Sequence, residues 1–168
     1  EYAKAITEQT RRLSGLITNI LRLNRLENQQ IFPERKPYNL SEQICECLLL
    51  FEQSWESKNI HIETELEEDI FIHEDAELLS LVWNNLFSNA IKFTDNDGTV
   101  GIKVKREGLT AVVEVRDSGC GISPETGKHI FEKFYQGDTS HAVQGNGLGL
   151  ALVKRVIDIV GGDIHVHS

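Results

Sequence analysis

The 168-residue chain is short of cysteine, of proline, of basic residues and of long apolar runs. Its cysteines are three, Cys45, Cys47 and Cys120. An odd, small set argues against a disulfide framework and fits a reducing compartment. Cys45 and Cys47 lie two apart on a predicted helix, so their sulfurs point to different sides, and no second ligand pair completes a zinc site. No apolar run approaches the ~20 residues that a membrane-crossing helix needs, and no charged-then-apolar leader is expected at the start. Lys and Arg number 17 against 26 Asp and Glu, a formal net charge of -9. Such a surface repels phosphate backbones, so nucleic acid is not an expected partner. What is present, 40% hydrophobic and 26% charged residues, suits a core-forming chain rather than a disordered one. The length suits one globular domain with a short appendage.

The appendage comes first. Residues 1–29 hold no Pro and a single Gly, Gly15. Ile6, Leu13, Leu16, Ile17, Ile20, Leu23 and Leu26 recur close to a seven-residue stripe, the pattern of a helix in a bundle or coiled coil. One helix cannot bury its own stripe, so either another chain or the rest of this chain must cover it. Pro33 and Pro37 then mark residues 32–39 as a linker. Ser41 is an expected N-cap for a helix running to about residue 55. Residues 60–66 alternate as a half-buried strand does, and 70–72 form a further short strand. A long helix is predicted over 74–93. Residues 99–106 and 109–116 read as an antiparallel pair turned at Glu107-Gly108. A short helical segment is expected over 125–134, a loose polar stretch over 137–145, and a last helix over 148–160 stopped by Gly161-Gly162. Residues 163–167 read as the start of another strand. Trp55 and Trp83 are expected in the core.

Three places could carry chemistry. On the 74–93 helix, Leu79, Val82, Leu86, Ala90 and Phe93 form the expected apolar stripe, and Asn85, Asn89 and Lys92 share a neighbouring face at i, i+4 and i+7. An amide oxygen is a hard ligand suited to magnesium, and a lysine is a point charge suited to phosphate. The alternative, that these are solvated polar residues, stands equally at this point. Next, Asp117-Ser118-Gly119-Cys120-Gly121-Ile122 follows a strand. Its glycines permit a sharp turn and close approach to a ligand, and Asp117 could accept a hydrogen bond from an exocyclic amine. A plain turn capped by an Asp reads as well. Last, Gly145-Asn146-Gly147-Leu148-Gly149-Leu150 opens a helix, where backbone N–H groups attract phosphate. No Gly-Lys-Ser/Thr follows, so it is not a Walker loop; a flexible loop end is the other reading.

In this order the three motifs resemble the catalytic ATP-binding domain of sensor histidine kinases, within the gyrase, Hsp90, histidine kinase and MutL ATPase group. Asn85-Leu86-Phe87-Ser88-Asn89-Ala90-Ile91-Lys92-Phe93-Thr94 matches that family's N box. Residues 117–122 match its first glycine box, Ile130-Phe131-Glu132-Lys133-Phe134-Tyr135 its phenylalanine box, and residues 145–150 its second glycine box. The resemblance implies an α+β fold: a two-layer α/β sandwich of the Bergerat type, with a mixed sheet covered by helices on one face and a long N-terminal helix in front. It implies a division into 1–30, the second helix of the dimerisation and histidine-phosphotransfer hairpin, and 31–168, the ATP-binding unit.

The resemblance also assigns roles. Asn89, with Asn85 beside it, would hold Mg2+ on the ATP phosphates, and Lys92 would neutralise phosphate charge; these three are the expected catalytic residues. Phe93 would lie near the nucleotide. Asp117 would read the adenine amine, with Gly119, Gly121 and Ile122 closing on the base. Phe131 and Phe134 would anchor the near end of the lid beside Tyr135, or simply pack in the core. Gly145, Gly147, Leu148, Gly149 and Leu150 would hinge the lid and present N–H groups to phosphate. Where gyrase and Hsp90 relatives carry a water-activating Glu, this chain has Asn85, which cannot act as a general base at neutral pH. The site is therefore expected to hold ATP without rapid hydrolysis, for transfer to a histidine by positioning and charge neutralisation. None of His61, His73, His129, His141, His165 and His167 sits in a helical context like the family's acceptor. The chain is thus expected to be a fragment lacking both that histidine and the last hairpin, and Gln136 replaces the Arg that many relatives carry. The implied partners are ATP, a response regulator and a second copy of the N-terminal helix. The implied location is a cytoplasmic domain of a membrane-held protein. A non-catalytic nucleotide-binding or interaction module, or a serine kinase of the same superfamily, is the competing function.

Overall fold

The computed structural model describes residues 2–136 and 147–168. The first helix, α1 (Tyr2–Asn28), follows the expected span closely. Among its described residues cover grows toward the C-terminal end: Leu16 is half-buried and Leu23 and Leu26 are buried, whereas Tyr2, Ile6, Leu13 and Ile17 are exposed.

The expected linker is half strand. β1 (Lys36–Asn39) pairs antiparallel with β3 (Phe71–Glu74), Pro37 opposite His73. A two-stranded ribbon is all edge, so a residue without an N–H is tolerated there. The cap of α2 (Leu40–Leu49) is Asn39 rather than Ser41. The Asn39 side-chain oxygen accepts from the Ser41 and Glu42 N–H groups at 3.0 and 3.3 Å, while the Ser41 hydroxyl donates to the Glu67 carbonyl at 2.7 Å. The helix also ends earlier than residue 55. The Phe51 N–H bonds back to the Leu48 carbonyl at 2.9 Å, and Phe51 itself sits at ψ 8°. That tightened turn starts a separate short helix, α3 (Glu52–Ser57).

β2 (His61–Leu66) runs parallel to β4 (Thr99–Glu107), which pairs antiparallel with β5 (Thr110–Asp117). The sheet is therefore mixed, in the order β2-β4-β5. Register explains its two faces. Val100, Ile102 and Val104 are buried, and Ile62, Leu66, Val113 and Val115 pack on the same core. The alternate residues carry charge outward, with Lys103 paired to Glu65 and Lys105 to Glu107. Helix α4 (Ala76–Phe93), capped by Asp75, lies on the apolar face together with α2 and α6 (Gly149–Val160). This is the expected two-layer arrangement.

Three further expectations need correction. The buried residues of α4 are Leu79, Val82, Trp83, Phe87, Ala90 and Ile91, whereas Leu86 is half-buried and Phe93 is 42% exposed. A helix covered by the sheet and by two other helices buries an arc wider than one stripe, centred differently from the predicted one. The segment over 125–134 contains only one helical turn, α5 (Pro124–Gly127), capped by Ser123. Phe134 sits at φ 60°, which no helix can continue through. Residues 163–168 form no strand; Ser168 instead accepts a hydrogen bond from the Ile122 N–H at 2.8 Å. The stop after α6 is as expected, with Gly161 at φ 75°. Trp83 is buried, and Trp55 is half-buried against the core.

Candidate nucleotide site

Helix α4 is the shared wall of the site. Its apolar arc faces the core, which leaves Asn85, Asn89 and Lys92 half-buried on the flank toward α6 and the Asp117 turn. Asn85 is fixed from within the helix: its Nδ2 donates to the Leu81 carbonyl at 2.7 Å. The Asn85 Oδ1 then lies against the first residue of α6. A Cβ placed on Gly149 would fall 2.8 Å from Asn85 Oδ1 and 4.0 Å from Asn89 Nδ2. A Cβ at Gly149 would make the Asn85 side chain give way. The N-terminus of α6 carries no side-chain cap, and Leu148 ahead of it has its side chain in the core at 1% exposure. The Leu148 side chain thus anchors the start of α6 in the core. Leu150 is half-buried.

The other turn meets the far end of the same helix. A Cβ on Gly119 would fall 2.4 Å from the Phe93 carbonyl oxygen, so the turn after β5 lies flat on the last turn of α4. Asp117 is exposed, and its Oδ1 accepts from the Gly119 N–H at 2.9 Å, which closes the turn on itself. Gly121 takes φ 68°. Ser118 ties the turn to β4, its Oγ accepting from the Thr99 N–H at 2.9 Å. Lys92 Nζ stands 5.0 Å from the centre of the Phe93 ring, a cation–π contact at the edge of this region. Ile122 is half-buried.

A third contact closes the ring of motifs. The Phe134 N–H donates to the Gly147 carbonyl at 2.8 Å, and Gly147, at φ 63°, has the Phe134 backbone 2.7 Å from where its Cβ would be. Phe134 is 61% exposed and Tyr135 half-buried, so packing of Phe134 in the core is excluded; Phe131 is half-buried. Gly145 lies outside the described residues. From Asn85 to Phe93 is eight residues, about 12 Å of helix. One wall of that length thus carries the Gly149 contact at one end and the Gly119 contact at the other.

Long-range contacts add residues that periodicity could not find. The Lys58 ammonium reaches the C-terminal end of α4, and Gly98 packs under the same turn, a Cβ there falling 2.4 Å from Thr94 Cγ2. Nothing local in the sequence marks Lys58, and Asp95-Asn96-Asp97-Gly98 reads from the sequence simply as a turn. Among the described residues no group of three or more His, Cys, Asp and Glu could hold a metal. All three cysteines are free, Cys45 exposed and Cys47 buried, as their spacing predicts. A surface hollow of about 720 Å³ lies along α1, away from this region.

Two close approaches that leave little room for a Cβ thus flank an Asn/Asn/Lys face. The chain belongs to the histidine kinase-, DNA gyrase B-, and HSP90-like ATPase family, whose model matches residues 74–168. Among curated relatives it is similar to the circadian input-output histidine kinase CikA of Synechococcus elongatus, 36% identical over all of this chain and 23% of CikA. It is also similar to the sensor-like histidine kinase SenX3 of Mycobacterium tuberculosis, 30% identical over 99% of this chain and 41% of SenX3. The chain thus spans less than half the length of these relatives. Among solved structures, full-length ShkA in complex with AMPPNP superposes with a TM-score of 0.82 at 28% identity, over 95% of this chain and 34% of ShkA. The catalytic domain of the histidine kinase ThkA gives 0.69 at 32% identity, over 76% of this chain and 82% of that domain. The fold is the α/β ATP-binding fold of histidine kinase catalytic domains.

Proposed function

We propose that this chain binds Mg-ATP along α4 and serves as the phosphotransfer unit of a sensor histidine kinase. The observation that carries the reading is the pair of approaches just described: Gly149 on Asn85 and Gly119 on the last turn of α4, with Asp117 beside the latter. Asp117 would accept from the adenine amine, its carboxylate oriented by the Gly119 N–H. Asn89 and Asn85 present neutral amide oxygens, donors whose hardness fits Mg2+ and whose small number suits an ion that keeps phosphate and water as its other ligands. When bound, Mg2+ supplies charge neutralisation at the transferring phosphate. Lys92 adds a point charge, and the uncapped α6 N-terminus adds backbone N–H groups aimed at anions. Asn85 carries no basic group, so water is not activated and the γ-phosphate is kept for a histidine. That histidine would belong to a dimerisation hairpin of which α1 is one helix; the uncovered α1 stripe would pair with a second copy. We therefore divide the chain at 30/31. The relative ThkA is known in complex with the response regulator TrrA, which motivates a response regulator as the downstream partner here. Among the described residues no helix is long and apolar enough to cross a membrane; in a longer, membrane-held kinase this unit would sit on the cytoplasmic side.

The test is calorimetric titration with AMPPNP in the presence and absence of magnesium. The expected result is magnesium-dependent binding that Asp117→Asn weakens by about a hundredfold, the cost of replacing a charged acceptor at the base amine by an amide that can offer it a donor. Unchanged affinity in that variant rejects the adenine assignment. Rapid phosphate release from ATP by the chain alone rejects the argument from Asn85.

A further inference from the structure

The C-terminal end of a helix leaves four carbonyls without intrahelical partners, and at the end of α4 they fall beside the site. The Ala90 carbonyl is taken by Thr94, whose N–H and hydroxyl donate to it at 3.0 and 2.7 Å. The Phe93 carbonyl lies under Gly119. The Ile91 and Lys92 carbonyls, and that of Thr94 just beyond, all accept from one group, the Lys58 ammonium, at 2.9, 3.0 and 2.6 Å. Lys58 comes from the turn between α3 and β2, 33 residues or more away in sequence.

An ammonium has three protons, and here each has a carbonyl. The charge sits where the helix dipole is negative. The turn that carries Lys58 is held in place: its carbonyl accepts from the Asp97 N–H at 3.0 Å, and the neighbouring Asn59 amide donates to Asp97 Oδ1 at 2.6 Å. The ammonium therefore joins two anchored segments and fixes the direction of the α4 terminus. Asn89, Lys92 and Phe93 stand on that last turn, and the Gly119 turn rests on it. A change in its direction would move the magnesium ligand, the phosphate cation and the base-side turn together.

We propose that Lys58 is a positioning residue for nucleotide binding: from outside the site, its ammonium locks the end of α4 so that Asn89, Lys92 and the Gly119 turn keep one mutual geometry. This rests on the nucleotide-site reading above.

The experiment measures affinity for magnesium AMPPNP, beside thermal stability, in the native chain, Lys58→Met, Lys58→Arg and Leu66→Ala. Leu66 is half-buried at the opposite end of β2 and serves as a control for lost stability alone. Lys58→Met is expected to weaken binding about tenfold, Lys58→Arg to recover to within about threefold of native, and Leu66→Ala to lower the melting temperature without changing affinity. Should Lys58→Met not fold, Lys58→Gln, which keeps N–H donors but no charge, is expected to weaken binding about threefold. Native affinity in Lys58→Met or Lys58→Gln, no recovery in Lys58→Arg, or an equal loss in Leu66→Ala overturns the positioning role. A native chain that does not bind overturns the site reading as well, which separates the two failures.

Discussion

Helices α1 and α4 are both amphipathic, yet they use their apolar residues in opposite ways. In α4 the apolar arc is consumed by the core, with Phe87 fully buried and Val82 at 1% exposure. In α1 the stripe is used mainly in its C-terminal half: Leu16 packs partly on the core, Leu23 and Leu26 are buried toward α6, and the Leu26 carbonyl accepts from Arg155 Nε at 3.0 Å. Ile6, Leu13 and Ile17 stay exposed. A buried arc on α4 fixes the orientation of its polar flank, so Asn85, Asn89 and Lys92 keep one side of the helix. The exposed stripe on α1 is left uncovered by the described residues at Ile6, Leu13 and Ile17.

The contrast can be broken by mutation. Phe87→Ala should cost about 3–5 kcal/mol of unfolding free energy, whereas Ile17→Ala should stay within about 0.5 kcal/mol in dilute solution, both read by chemical denaturation. A large cost at Ile17 that does not depend on protein concentration would mean that α1 is covered by its own chain. Gly119→Ala tests the other flank of α4. Its Cβ would meet a backbone oxygen rather than a yielding side chain, so the turn must move, and affinity for magnesium AMPPNP should fall by about a hundredfold while the fold is retained by circular dichroism. The smallest effect is alkaline. Burial pushes the Cys47 thiol up, with Glu46 adding to it. Tyr38 is raised by burial first and then by Glu74 and Asp75. A group whose pKa is higher folded than unfolded stabilises below its unfolded value and loses that contribution as pH rises. Stability of the body should therefore decline from the ordinary thiol range upward. Cys47→Ala should flatten the first part of that decline in a pH series of melting temperatures, and a substitution on exposed α1 should leave it unchanged.

Much of the body was legible in the sequence because it rests on period and punctuation. The 99–106 and 109–116 alternation gave β4 and β5, and Gly161 marked the stop of α6. Errors fall where a longer-range partner decides. Residues 36–39 read as a linker because their strand partner is 71–74, too distant for local pattern. Ser41 reads as the cap, but Glu67 claims its hydroxyl and Asn39 caps the helix instead. For the candidate site, residue types and spacing offered Asn85, Asn89, Lys92, Asp117 and the glycines as candidates, and the family resemblance gave them roles. No spacing states that Gly149 must pass Asn85, that Gly119 must rest on Phe93, or that Lys58 holds the helix end, because each is a contact between elements.

The most direct measurement is amide hydrogen exchange of the chain with and without magnesium AMPPNP. If α4 is the common wall, nucleotide should slow exchange together in residues 85–93, 117–122 and 147–150, and leave residues 2–20 unchanged. Protection confined to one of those three segments, or found only along α1, would contradict a single site built on α4.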